Sequence, residues 1–317
     1  MDVPNHRSLH DTPKPRTGGL AVLISIVTGL FLLQQYIDEQ LILILPYVLI
    51  VISAAFIDDI ISISAISRLL LQIIVAMAVA LNGLVLESFI IPGLEISLPP
   101  AIGILITAFF IVWMVNLYNF MDGMDGFSGG MAIIGFGTFA ILAYMKGDMS
   151  FALINLIVVA ATLGFLVFNL PPSKIFLGDV GSTLFGMLVA LFILWADTND
   201  IFAAWLGVVV FLPFIIDSTV TLAKRFLGGE KIWVAHRSHY YQRLVLSGLG
   251  HKRTLIFEYS WMIVCSLVSI LLFRTENITV QISLLILFTI LCIALLVYID
   301  RRTFKLRKKT SLQHRDT

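Results

Sequence analysis

Five aspartates stand at the ends of apolar runs: Asp58 and Asp59, Asp122 and Asp125, and Asp179. Two Asp-Gly pairs lie three residues apart in NFMDGMDGFSGG, residues 119–130. Carboxylates drawn to one depth from separate segments repel one another unless a cation sits among them. Mg2+ takes oxygen ligands, keeps several waters, and is typically held by one or two carboxylates plus substrate phosphates. Gly123, Gly126, Gly129 and Gly130, then Gly178 and Gly181, let backbone N–H groups approach an anion closely. A solvated helix end is the plain alternative for each acid, and it is the preferred reading for Asp122 or Asp148 taken alone. For five acids, each beside a glycine or another acid, a joint site is the better account.

Basic side chains accompany the acids. Lys14, Arg16, Lys174, Arg237 and Arg243 fall on the same side of the chain's apolar runs, where with a metal they would clamp a diphosphate. The competing explanation is orientation in a membrane, which places Lys and Arg on the inner side whatever the function. Lys14 and Arg237 are favoured for phosphate contact, and the basic C-terminal tail for topology or lipid headgroups. His236 and His239 are three apart, on one face if that segment is helical; a zinc site would usually want a third protein ligand, so phosphate contact or acid–base work is preferred. Asp217 lies inside an apolar run, where an acid is costly and usually functional or paired. Its partner is open at this level.

The elements that carry these residues follow from composition. The chain has 317 residues, 59% hydrophobic and 13% charged, against about half and about a quarter in a soluble domain. It reads as an all-α polytopic membrane protein, one catalytic domain over 1–317. Ten runs match the length of a spanning helix: 18–36, 41–57, 69–86, 101–117, 129–145, 151–169, 183–196, 201–223, 255–273 and 279–298. With the N-terminus inside, nineteen of the 21 Lys and Arg fall on the inner side; only Lys146 and Arg274 fall outside. The outer connections are short except 87–100, an apolar stretch with three prolines expected to lie along the interface. Nearly everything reactive is inner. A carrier would spread polar residues along a path through the helices; polar residues gathered at one face suggest an enzyme working there. The net charge of +1 points to no partner, and no nucleic-acid partner is expected. Cys265 and Cys292, both inside apolar runs, read as packed thiols.

Five inner motifs occur in order: PRTGGL at 15–20, DD at 58–59, NLYNFMDGMDG at 116–126, NLPPSKIFLGDVGS at 169–182 and HRSHYYQRL at 236–244. Together they resemble the polyprenyl-phosphate N-acetylhexosamine-1-phosphate transferases, across essentially the whole chain. The resemblance implies a multi-pass protein of the cytoplasmic (inner) membrane, its active site facing the cytoplasm. It implies transfer of a sugar-1-phosphate from a UDP-N-acetylhexosamine to undecaprenyl phosphate, with release of UMP and with Mg2+ required. By motif, Asn119 and Asp179 look like metal or diphosphate contacts. Asp125 and Phe176 look like the uracil site, with Asn169 opening the same motif, and Asp58 and Asp59 like the pair near the lipid phosphate. His236, Arg237 and His239 resemble the loop that helps choose the sugar nucleotide. Asp122 is expected to orient Asn119 or to cap the next helix. Dimers occur in the superfamily, so a homodimer is possible.

Three features depart from the family pattern. A third Asp often follows the acidic pair by three residues, and here that place is Ser62. The last inner loop carries fewer histidines than in the muramoyl-pentapeptide enzymes, which favours the branch that initiates O-antigen and other surface polysaccharides. Family members commonly have a further span ahead of the first motif, so eleven would be usual where ten are read. The lipid phosphate has a second pKa of about 6 and is largely deprotonated at neutral pH, which favours direct attack; an aspartyl intermediate on Asp58 or Asp59 stays open. The rivals from other classes are a secondary transporter, against which stand the lack of an inverted repeat and of midplane acids beyond Asp217, and an inactive assembly scaffold, against which stand the intact acids.

Overall fold

A backbone in lipid must pair its own N–H and C=O groups, so apolar runs fold as helices. The computed structural model describes residues 13–61, 63–231, 234 and 236–313, with side chains through Thr303; Ser62, His6, His10 and His314 lie outside the described residues. The chain is all-α and multi-pass. Its helices are α1 (Gly18–Leu33), α2 (Glu39–Ile42), α3 (Leu45–Ile61), α4 (Ala65–Leu81), α5 (Pro100–Met121), α6 (Phe127–Lys146) and α7 (Met149–Asn169). They continue as α8 (Gly178–Thr198), α9 (Ala204–Val210), α10 (Leu212–Leu227), α11 (Tyr240–Leu244), α12 (Gly250–Arg274) and α13 (Ile278–Gln313).

Each of the ten expected runs is helical, and three differ from expectation in form. Ten spans are expected; among the described residues eight helices are long and apolar enough to cross a membrane by length and composition, nine if α9 and α10 together make one span, while α4 is apolar but shorter. The third run starts earlier and ends earlier than 69–86, because Ser64 caps α4 by accepting from Ser67 N at 3.1 Å and the helix ends at Leu81. The eighth is not one helix: α9 and α10 meet at an 80° bend, where Pro213 in the first turn of α10 has no N–H to continue the ladder. The seventh extends at both ends, to 178–198, which places Asp179 in the first turn of α8 rather than in a loop. The stretch after α4 forms a hairpin, β1 (Ser88–Ile91) with antiparallel β2 (Leu94–Ser97), turned by Pro92 and Gly93 at φ 78°. Asp148 is a helix cap, accepting from Phe151 N at 2.8 Å.

The helix at the centre is α8. Every residue from Val180 to Ala196 is buried, whereas α1 and α13 are mostly lipid-facing. Glycines let the neighbours close on it. A Cβ on Gly19 would lie 2.2 Å from Gly181 N, and one on Gly186 2.7 Å from both Met114 O and Val115 Cα. These are backbone obstacles, which cannot rotate away. Small residues that bring backbones together are the usual means of helix association in membranes.

Gly19→Ala is therefore expected to overpack the α1–α8 contact and cost about 1–3 kcal/mol. Gly137→Ala, on α6 where a Cβ meets nothing within 4 Å, serves as the control and should be neutral or slightly stabilising. Thermal unfolding in detergent checks both; equal Tm values for the two variants would refute this account of the contact.

Candidate active site

The helix ends that carry the motifs meet at one end of the bundle. Two hydrogen-bonded clusters form there; the last turn of α5 contributes to the first and the loop that follows it to the second.

The first cluster gathers Asp58, Asp59, Arg68, Asn119 and Asp179. Asp58 ends α3 and uses both oxygens: Oδ1 accepts from Ile63 N at 2.6 Å and Oδ2 from Arg68 Nη1 at 2.6 Å. The same Arg68 nitrogen reaches Asp179 Oδ2 at 3.5 Å. Asn119, in the last turn of α5, donates Nδ2 to Asp179 Oδ1 at 3.2 Å and to Ser182 Oγ at 3.1 Å. Asp59 is exposed and feels Asp58 and Asp179 as like charges and Arg16 as an opposite one. A cavity of about 290 Å³ opens beside them, apolar along Val51, Ala55 and Val115 and polar where Arg68, Gln72, Asn116, Asn119 and Asp179 line it.

The donors in this cluster are carboxylate, amide and hydroxyl oxygens, the chemistry that suits Mg2+ rather than a soft metal. Among the described residues no three His, Cys, Asp or Glu side chains gather closely enough to hold a metal by themselves. Arg68 lies within reach of both Asp58 and Asp179. A partial set of this kind fits an ion whose remaining ligands are waters and substrate phosphates.

The second cluster holds Lys14, Asp125, Asn169, Ser173 and Phe176. Asp125 accepts from Ser173 N at 2.9 Å and from Ser173 Oγ at 2.8 Å. Lys14 Nζ donates to Ser173 Oγ at 2.8 Å, lies 3.8 Å from Asp125 Oδ2 and sits 5.0 Å over the Phe176 ring. Asn169 fastens two segments, accepting from Gly126 N at 2.9 Å and donating to Ile175 O at 2.8 Å. Three backbone bonds lock the strand of chain around Phe176 to the start of α1: Phe176 N to Pro15 O (2.8 Å), Gly18 N to Phe176 O (3.0 Å) and Gly19 N to Leu177 O (2.8 Å). Gly178, at φ 74°, then turns into α8 in a place where a Cβ would strike Arg16 O at 2.7 Å. The result is an aromatic face with a carboxylate, a hydroxyl and an ammonium beside it, three residues from Asp179 and six from Asn119.

Asp122 does not cap the next helix. Gly126, at φ 77°, holds the N-cap position of α6, while Asp122 ends α5, its N–H donating to Asn119 O at 3.2 Å. That leaves Asp122 beside Asn119.

The basic loop packs on the acidic one. Segment 236–239 is not helical, yet its bend brings the His236 and His239 rings to 4.8 Å, with Arg237 half-buried between them. The His239 ring stacks on Phe120 at 6.2 Å, and Tyr241 Oη donates to Phe120 O at 3.4 Å. Gly123 passes so close that a Cβ there would lie 2.0 Å from Tyr241 Oη. Lys174 stays exposed. Arg243 is drawn into an ion pair with Asp300 of α13 at 2.8 Å, which Lys224 shares at 2.6 Å. Its position in the sequence suggested a phosphate clamp; the structure gives it to anchoring α13.

Sequence reasoning did not pick out Arg68, Ser173 or Ser182. Arg68 carried only a topological signal, since its distance from Asp58 spans a helix break. Ser173 stood inside a quoted motif without a charge to mark it.

Comparison with known proteins gives consistent relatives. Residues 40–197 match the family described as glycosyl transferase family 4. A probable undecaprenyl-phosphate N-acetylglucosaminyl 1-phosphate transferase of Bacillus subtilis is 30% identical over 294 residues, 92% of this chain and 81% of the relative. A decaprenyl-phosphate N-acetylglucosaminephosphotransferase of Mycobacterium tuberculosis is 29% identical over 82% of this chain and 72% of its own length. A phospho-N-acetylmuramoyl-pentapeptide-transferase of Staphylococcus saprophyticus is 30% identical over 80% of this chain and 82% of its own length.

Burial, with the neighbouring His239 and Arg225 adding to it, pushes the His236 imidazole down to about 4, so the ring is neutral near pH 7. Its Nδ1 accordingly accepts from Ser238 N at 3.3 Å. A histidine held neutral contributes stability fully above its unfolded value of about 6.5 and loses it as the pH falls toward 4. His236→Gln is expected to flatten the decline of Tm between pH 6.5 and 4.5 relative to wild type. Parallel Tm–pH curves for the two proteins would contradict the assignment.

Proposed function

The chain belongs to glycosyl transferase family 4 and is a phosphoglycosyltransferase of the membrane, and from that premise we propose that it moves a sugar-1-phosphate from a UDP-N-acetylhexosamine to undecaprenyl phosphate. The reading rests on one observation above the others: Lys14, Asp125, Ser173 and Phe176 form one cluster on the segment that leads, three positions on, into Asp179. A pyrimidine stacked on the Phe176 ring finds hydrogen-bonding partners in Asp125 and Ser173. Lys14, displaced from Ser173 by the nucleotide, faces its phosphates. The diphosphate then extends toward Asn119 and Asp179, and the lipid phosphate enters from the cavity between α3, α4 and α5, with Arg68 at its mouth.

The reaction needs no strong base. An oxygen of the lipid phosphate forms a bond to the sugar-bearing phosphorus; the bond from that phosphorus to the bridging oxygen breaks, and UMP leaves with the electron pair. Catalysis of such a step is mainly positioning and charge stabilisation. Asp58 has both oxygens engaged, by Arg68 and Ile63 N, which supports direct attack by the lipid over an aspartyl intermediate at that residue. Asp179, Asp59 and Asn119 would hold a Mg2+ ion, which when bound neutralises charge on the diphosphate. Arg68 counters the acids until substrate arrives, and Arg237 and the two histidines approach the diphosphate from the opposite loop. The product, a lipid-diphosphate-linked sugar, suits the initiation of a surface polysaccharide such as O-antigen. The excess of Lys and Arg around these motifs supports an active site on the cytoplasmic face of the inner membrane.

The direct test is a membrane assay with undecaprenyl phosphate and a panel of UDP-sugars, UDP-MurNAc-pentapeptide among them, reading UMP. UMP release is expected from an N-acetylhexosamine donor and not from the pentapeptide; the opposite preference would move the chain to the muramoyl branch. Asp179→Asn should lower kcat about a hundredfold or more. Asp125→Ala should instead raise KM for the nucleotide roughly ten- to a hundredfold, the loss of a charged hydrogen bond. Asn119→Ala should fall mainly on kcat. Turnover with unchanged KM in Asp125→Ala, and full kcat in Asp179→Asn, would overturn the assignment. For orientation, a reporter fused after Lys146 should score outside and one at the C-terminus inside; matching signals would reject the arrangement.

A further inference from the structure

Asp217 is the acid that the sequence left without a partner, and the structure supplies four. It sits in α10, 7% exposed, and the imidazole it meets, His239, is 4% exposed. Oδ1 accepts from His239 Nδ1 at 3.0 Å, from Tyr240 N at 2.9 Å and from Thr221 Oγ1 at 3.2 Å. Oδ2 accepts from Tyr241 N at 2.9 Å. Three of those donors belong to the basic loop and one to the helix that carries the acid. The bend between α9 and α10 brings Asp217 under that loop.

We infer that Asp217 is a positioning residue for the transfer reaction, acting through His239; this deepens the proposed function and rests on it. A carboxylate oxygen accepts, so in this bond Nδ1 carries the proton and Nε2 is left for the substrate. One carboxylate thus sets both the tautomer and the direction of the ring. By taking the N–H groups of Tyr240 and Tyr241 it also fixes where α11 begins. Tyr241 in turn reaches Phe120 O and crowds Gly123, and the His239 ring lies on Phe120, next to Asn119. The acid therefore aligns the basic loop with the acidic loop although it faces no cavity of the first cluster. A cap for α11 alone would account for the two backbone bonds. It would not account for the imidazole on the same oxygen, buried and turned toward the acid rather than toward solvent.

Asp217→Asn keeps the volume but leaves one acceptor oxygen for four donors, so the NH2 group must face either Tyr241 N or His239 Nδ1, and the joint hold on the loop and the ring is lost. The experiment is a double-mutant cycle in full-length protein with Asp217→Asn, His239→Ala and the pair, reading UMP release, KM and Tm. Expected are a fall in kcat of at least about tenfold in each single variant, the size of a lost acid–base or donor contact, and a double variant no slower than His239→Ala. Thr221→Ala, which removes only the contact from its own helix, should stay within about twofold of wild type. Losses that multiply, or a His239→Ala variant within twofold of wild type, would overturn the inference. Should Asp217→Asn not fold, Asp217→Glu is read in the same cycle, and if neither folds Asp217 serves the fold alone and the inference fails. A wild type that releases no UMP with any donor would remove the proposed function itself, a different result from an active wild type indifferent to Asp217.

Discussion

The close approach of α1 and α5 to α8 is the constraint on which the site depends. Asp179 is set by the helix it begins, and α8 is walled in on every side from Val180 to Ala196. It can be walled in because Gly19, Gly181 and Gly186 remove the side chains that would hold its neighbours away. Once α5 lies against Gly186, the last turn of α5 brings Asn119 to Asp179. Once α1 lies against Gly181, the segment before it brings Lys14 to the far side of Phe176. Both clusters are consequences of two helix contacts made well inside the bundle.

Charge is then managed at the ends. Asp58, Asp59 and Asp179 carry like charge at one end of the bundle. Arg68 places a positive charge among them, bridging Asp58 and Asp179 unevenly, at 2.6 and 3.5 Å. The uneven hold has chemical meaning: the acid gripped less tightly is the one free to change partners. Asp125 is satisfied locally by Ser173, and Asp217 by the basic loop. Asp58 and Asp179 thus share Arg68, while Asp125 and Asp217 have partners of their own.

Much of this was legible in the residues. Helix positions followed from apolar length, and the motifs placed at one face do converge at one end of the bundle. What was not legible depended on contacts between distant segments. The 80° break in the eighth run needed Pro213 to be weighed against an otherwise continuous apolar pattern. The hairpin at 88–97 looked like an apolar connection because its strands are too short to show alternation. Arg68 read as a topological charge, and Asp217 had no partner in its own segment. The histidines, which would share a face if their segment were helical, meet instead through a bend, which a spacing of three could not distinguish.

The three backbone bonds between residues 15–19 and 176–177 carry a consequence for how the protein is made. The groups they align, Lys14 and Ser173, are separated by 159 residues. During synthesis α1 leaves the ribosome well before α8, and five of the apolar runs separate the two. A helix that waits in a bilayer must be tolerable there alone, and α1 is: little of it is buried even in the finished bundle. The contact between Lys14 and Ser173 therefore forms late, once the segment leading into α8 has been made. A chain ending before Gly178 would hold every residue of the second cluster but neither Asp179 nor the α8 backbone against which Gly19 packs.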